Sequence, residues 1–167
     1  MRQALVFLHV AGGVLLIGEL LFASLWLRSA MSRGGSPAIL RYTLATMTWT
    51  SKSVALPAIL VNLIAGLALL HFAGVHLGGA IWVWLSLALY VVLSGLWHGV
   101  LIPTRKRMLA RMEEAAGSAG GGGTGAGAAG AIPEETLAMA RRWISVSGAV
   151  LALLFAILLL MTWKPAL

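Results

Sequence analysis

Four long stretches of this chain carry almost no charge, and each is long enough to cross a bilayer as a single helix: residues 4–27, 54–73, 79–102 and 143–163. A helix rises 1.5 Å per residue and the hydrocarbon core is about 30 Å thick, so about 20 apolar residues suffice. The expected fold is therefore all-α, a bundle of four transmembrane helices. Of the 167 residues, 60% are hydrophobic and 10% charged, whereas soluble domains carry about 25% charged residues to cover their surface. A chain this short leaves room for one membrane domain and no separate soluble one.

The first stretch is interrupted only by His9 and Glu19. It opens too near Met1 for a charged leader region, and Trp26-Leu27-Arg28 lacks the small residues of a cleavage site, so it is expected to be a retained span. Tryptophans 26, 82, 84, 97, 143 and 163 fall near span ends, where amphipathic rings sit at headgroup level. Ser36-Pro37 and Ile132-Pro133-Glu134-Glu135 look like helix starts, with proline in the first turn and, in the second case, acids favoured by the helix dipole. Pro57 is expected to kink the second span where it enters the bilayer.

The basic residues set orientation. Arg28, Arg33, Arg41 and Lys52 lie between spans one and two, and Arg105, Lys106, Arg107, Arg111, Arg141 and Arg142 between spans three and four; the opposite side has Arg2 and Lys164. Four plus six against two places both longer loops in the cytoplasm and both termini outside. This clustering at span ends also accounts for the net charge of +7, so a nucleic-acid partner is rejected. Residues 115–131 are low-complexity glycine and alanine and read as a flexible cytoplasmic tether; with no Walker lysine and no preceding strand they are not a phosphate-binding loop.

Ionisable groups inside a bilayer are costly, which makes them the candidates for chemistry. Measured from span centres at 1.5 Å per residue, Glu19 falls about 6 Å and His98 about 12 Å to the cytoplasmic side, while His9 and His71 fall about 9 and 12 Å to the external side. Two pairings are expected on this arithmetic: His9 with His71, and Glu19 with His98. The first offers bis-imidazole ligation for a haem b, with His98 as a reserve ligand and Gly12 and Gly13 leaving room for the macrocycle. The second offers a path for protons or ions. His9 and His98, about 20 Å apart in depth, do not share an iron.

A plainer use competes with both. Glu19 and His98 can simply fix helix register, or Glu19 can be carried in its neutral form, and His71 and His76 can simply be hydrated at the outer surface. Gly12 and Gly13 serve close helix packing equally well, and Asn62, Gly66, Ser94, Gly95, Gly99, Ser145, Ser147 and Gly148 are the small and polar residues that membrane helices use against one another. The chain has no cysteine, and no Ser-His-Asp set, paired carboxylates or HExxH occurs, so no hydrolase and no metal site is expected.

The segments FLHVAGGVLLIGELLFASLWLRSA (7–30), LPAILVNLIAGLALLHFAG (56–74), WVWLSLALYVVLSGLWHGVLIPTRKRM (82–108) and LLLMTWKPAL (158–167) resemble a bacterial family of four-helix integral membrane proteins classed as a domain of unknown function. The resemblance covers nearly the whole chain apart from the glycine-rich loop, and it implies the architecture and a bacterial inner membrane but no reaction. More distantly, the chain is similar to haem-associated membrane proteins of the protoporphyrinogen oxidase and copper-resistance D types. Those begin with a histidine early in span one, matched by His9, and carry one late in span three, matched by His98. The oxidase type also has a lysine within span three, and no lysine stands here between Lys52 and Lys106. The expectation is an accessory or subunit-like membrane protein whose partners are the lipid bilayer and a membrane-protein partner or a second copy, with a haem-b redox protein as the alternative.

Overall fold

The computed structural model describes residues 1–32, 36–75, 80–119 and 132–163. Arg33, His76, Lys164 and most of the glycine-rich segment lie outside them. The described chain forms α1 (Arg2–Ser32), α2 (Pro37–Thr50), α3 (Leu56–Phe72), α4 (Ile81–Leu96), α5 (Ile102–Ala119) and α6 (Glu134–Trp163). α2 runs into α3 through a five-residue π-helical turn, Ser51–Ala55, and α4 runs into α5 through a second one, Trp97–Leu101. The result is four long rods, all apolar enough to cross a membrane. At 31, 36, 35 and 30 residues they span about 45–54 Å, so each exceeds the hydrocarbon core by several turns.

Local sequence explains where the rods begin and end. Pro37 opens α2 behind an extended Ser36. Pro133 stands just before α6 instead of inside it, and its carbonyl accepts from the backbone amides of Thr136 and Leu137 at 2.9 and 3.2 Å. α3 closes with Gly74 at φ +61°; the Gly74 amide reaches the His71 carbonyl and the Val75 amide reaches that of Leu70, a pairing that only a left-handed residue allows. α5 continues to Ala119, so 115–119 are helical where the sequence reads as a tether, in keeping with the helix propensity of alanine.

The two wide turns share a local sequence, Ser53-Val54-Ala55-Leu56-Pro57 and Gly99-Val100-Leu101-Ile102-Pro103. In a regular α-helix the ring of Pro57 would collide with the carbonyl of Ser53, and that of Pro103 with the carbonyl of Gly99. The wider turn just before each proline, closed by Leu56 N–H to Ser51 O and by Ile102 N–H to Trp97 O, relieves the clash without breaking the rod.

Each wide turn also marks a change of neighbour. At the end of the molecule that holds α2 and α5, the inner end, α2 packs on α1 and on α5, and α5 packs on α6, so that with α1 against α6 the four helices form a closed bundle. On the outer side α3 packs on α1 and α4 packs on α6, and α3 and α4 nowhere approach within 8 Å of each other at Cα over their described lengths. The inner core is built of large side chains, with Leu20, Leu27, Leu40, Leu44, Met47, Met108 and Trp143 essentially inaccessible. The buried positions further out are mostly small: Gly12, Ala58, Ala65, Ala80 and Ser86, joined by Val83 and Leu93. Phe7, Val14, Phe22, Ile64, Trp84, Val91 and Leu159 are exposed and form the lipid-facing surface.

Candidate functional site: a carboxylate and a guanidinium joined by one hydroxyl

Glu19 lies on the face of α1 turned towards the first wide turn. Its Oε1 accepts from the Ser51 hydroxyl at 3.0 Å and from the Thr50 hydroxyl at 3.3 Å. Ser51 is itself an acceptor: Nη1 of Arg105 donates to Ser51 Oγ at 2.7 Å and to the Met47 carbonyl at 3.0 Å. A guanidinium, a hydroxyl and a carboxylate thus stand in series across α5, the first wide turn and α1. The guanidinium is a charged donor, and hydrogen bonds to ionised partners are roughly twice as strong as neutral ones. Arg105 is only 6% exposed, and its Nε, like Thr43 Oγ1 on α2, has no protein partner. At the second wide turn the indole N–H of buried Trp143 donates to the Leu101 carbonyl at 3.0 Å. Ser24 and Ser147 share a hydrogen bond at 2.9 Å between α1 and α6.

The expected pairing of Glu19 with His98 does not form. Trp97 and Leu101 are buried, which turns His98 outward by one residue's rotation, and its Nδ1 donates to the Ser94 carbonyl on its own helix at 3.0 Å. Glu19 meets instead two hydroxyls and, through one of them, a cation, all of which the sequence reading places outside the spans.

The pairing of His9 with His71 is also replaced. Nδ1 of His9 donates to the Asn62 carbonyl at 2.8 Å, and the Asn62 side-chain amide donates to the His9 carbonyl at 2.6 Å, so α1 and α3 are tied by reciprocal bonds. The His9 ring lies in the gap left by Gly66, where a Cβ would come within 2.8 Å of Cε1. His71, further out on α3, is exposed and sets its ring edge-on to Phe72 at 5.9 Å between centroids. The room beside Gly12 and Gly13 is taken by α3 itself: a Cβ on Gly12 would stand 2.9 Å from Asn62 Cβ and 3.0 Å from the Ala58 carbonyl oxygen. The seam is closed by backbone contact, and a macrocycle does not fit there. Among the described residues no group of three or more metal-binding side chains is assembled.

Sequence reasoning counted Arg105 among the basic residues that set topology and assigned Ser51 no role. Their spacing carries the missing signal. Arg105 falls on the apolar stripe Leu101, Met108, Met112, and Ser51 on the stripe Leu40, Leu44, Met47, Ala55, so both belong to the buried faces of their helices.

Residues 3–165 match the family described as "Predicted integral membrane protein (DUF2269)". The chain belongs to that family. No curated protein and no solved structure matches it. As a DUF2269 protein it is an integral membrane protein of unknown biochemical activity, and its four apolar rods are the structural form of that description.

Proposed function

We infer that this DUF2269 protein is an accessory, subunit-like component of the bacterial cytoplasmic membrane, with both termini outside and the inner bundle at the cytoplasmic face. The observation behind this reading is that Glu19, His9 and the Nη1 end of Arg105 are engaged by the chain itself. Glu19 is held by Thr50 and Ser51, Arg105 by Met47 and Ser51, and His9 by Asn62. Polar side chains engaged in this way fasten helices to one another, whereas a proton path needs its acid reachable from both sides. The lipid-facing side chains are apolar, which suits a protein that acts through contacts within the membrane.

The absence of native cysteine makes the test direct. A single cysteine in place of exposed Arg107 is expected to escape a membrane-impermeant maleimide in intact cells, and one in place of Ala4 to react; the reverse pattern overturns the orientation. Native detergent extracts are expected to hold the protein in an assembly larger than a 17.5 kDa chain with its micelle, and a monomer by light scattering counts against the accessory role. In liposomes the wild type and Glu19→Gln are expected to show the same background proton flux. A flux that Glu19→Gln abolishes would replace this reading with passage through Glu19.

A further inference from the structure

We propose that the molecule consists of two halves, one of α1, α2 and α3 and the other of α4, α5 and α6, that rock against each other about a fastened inner seam, opening and closing the gap between α3 and α4. Each half pairs one uninterrupted helix with one rod that contains a wide turn. In the first half α1 carries α2 and α3; in the second α6 carries α4 and α5. Among the described residues the halves come within 8 Å at Cα where α1 lies against α6 and where α2 lies against α5.

The halves are fastened in the inner bundle by the interlocked leucine, methionine and tryptophan side chains and, among the described residues, by hydrogen bonds that cross them there. Arg105 of the second half donates to Met47 and Ser51 of the first, and Ser24 pairs with Ser147. The fastenings within each half reach further along the rods. His9 and Asn62 bind α1 to α3 reciprocally, and Gly12 lets the two backbones touch. The Trp143 indole holds α6 to the second wide turn. Contacts within a half therefore keep it rigid, while the seam between halves is closed at one end and lacks any α3–α4 approach at the other.

The wide turns are what make this arrangement possible. Each lets the inner segment of a rod lean across to the other half while its outer segment stays on the straight helix of its own half. Such turns inside α-helices are uncommon and recur at functional sites. The chain also sets a limit to the motion, because eight residue steps from Ala73 to Ile81 reach at most about 28 Å.

Two pairs of spin labels on the cysteine-free chain in lipid nanodiscs test the proposal. One pair replaces Ile64 on α3 and Val91 on α4, both exposed; the other replaces exposed Ala45 on α2 and Lys106 on α5. Double electron–electron resonance is expected to give an outer distance distribution at least twice as wide as the inner one. Ser51→Ala, which removes the bridging hydroxyl but leaves Arg105 its bond to Met47, is expected to widen the inner distribution, and Arg105→Gln to widen it further. Equal widths for both pairs in the wild type overturn the proposal, as does an inner distribution unmoved by either substitution. If Arg105→Gln does not fold, Ser51→Ala alone decides the second point.

Discussion

The inner and outer parts of this molecule solve the same packing problem with different residues. The inner bundle is closed on all four sides, filled by leucine, methionine and tryptophan, and crossed by a charged series from Arg105 through Ser51 to Glu19. The outer part consists of two helix pairs whose buried positions are mostly glycine, alanine and serine, with Val83 and Leu93 on α4. Lipid is as apolar as a leucine side chain, so within the hydrocarbon little is gained by hiding leucine from it, and close contact between small residues holds helices instead. Large side chains interlock four helices at once. Small ones let two helices touch along a seam and leave the other side free.

The comparison breaks most readily at Trp143. Trp143→Ala removes a ring that is 2% exposed together with its bond to Leu101, and is expected to destabilise the protein by about 3–5 kcal/mol in reversible unfolding from detergent micelles. Leu158→Ala, at a position 53% exposed on the outer half of α6, is expected to change stability by less than about 0.5 kcal/mol. Similar losses at both sites would show that the two parts are held in the same way.

Next in size is the charged series. Arg105→Met leaves Glu19 and Ser51 without their cation and is expected to lower stability by about 2–4 kcal/mol, whereas the double change with Glu19→Gln is expected to recover most of the loss. A double variant no better than the single one would mean that Arg105 acts through packing alone.

The smallest effects separate the seam from the open surface. Gly12→Leu drives a side chain into Ala58 and Asn62 and is expected to loosen α1 from α3 by about 1–3 kcal/mol, with earlier amide exchange in α3. Gly148→Ala meets nothing within 4 Å and is expected to be neutral or slightly stabilising, since alanine is the better helix former. If Gly148→Ala proves the more harmful, a surface described as open is occupied in the membrane.

The four spans are legible in the sequence because they rest on a large one-dimensional quantity, the length of uncharged chain. Side-chain partners are not so legible, since depth along a span says nothing of rotation about it. His98 sits near Glu19 in depth yet on the outward face of its helix, beside buried Trp97. His9 and His71 share the outer side, but Gly66 draws the His9 ring into the seam and Asn62 holds it there. Arg105 was concealed by its company, since Lys106, Arg107 and Arg111 are exposed and lie where topology alone would put them. The wide turns were half visible. Pro57 signals a distortion, and its counterpart Pro103 carries the same signal at the end of an apolar run, where a proline is easily taken for a helix boundary.

The order in which the chain is made bears on Arg105. Its acceptors Ser51 and Met47 precede it by 54 and 58 residues, so they leave the ribosome well before the arginine does. Synthesis proceeds from the N-terminus, and earlier segments settle first. The acceptors of the arginine are therefore already made when its own segment emerges.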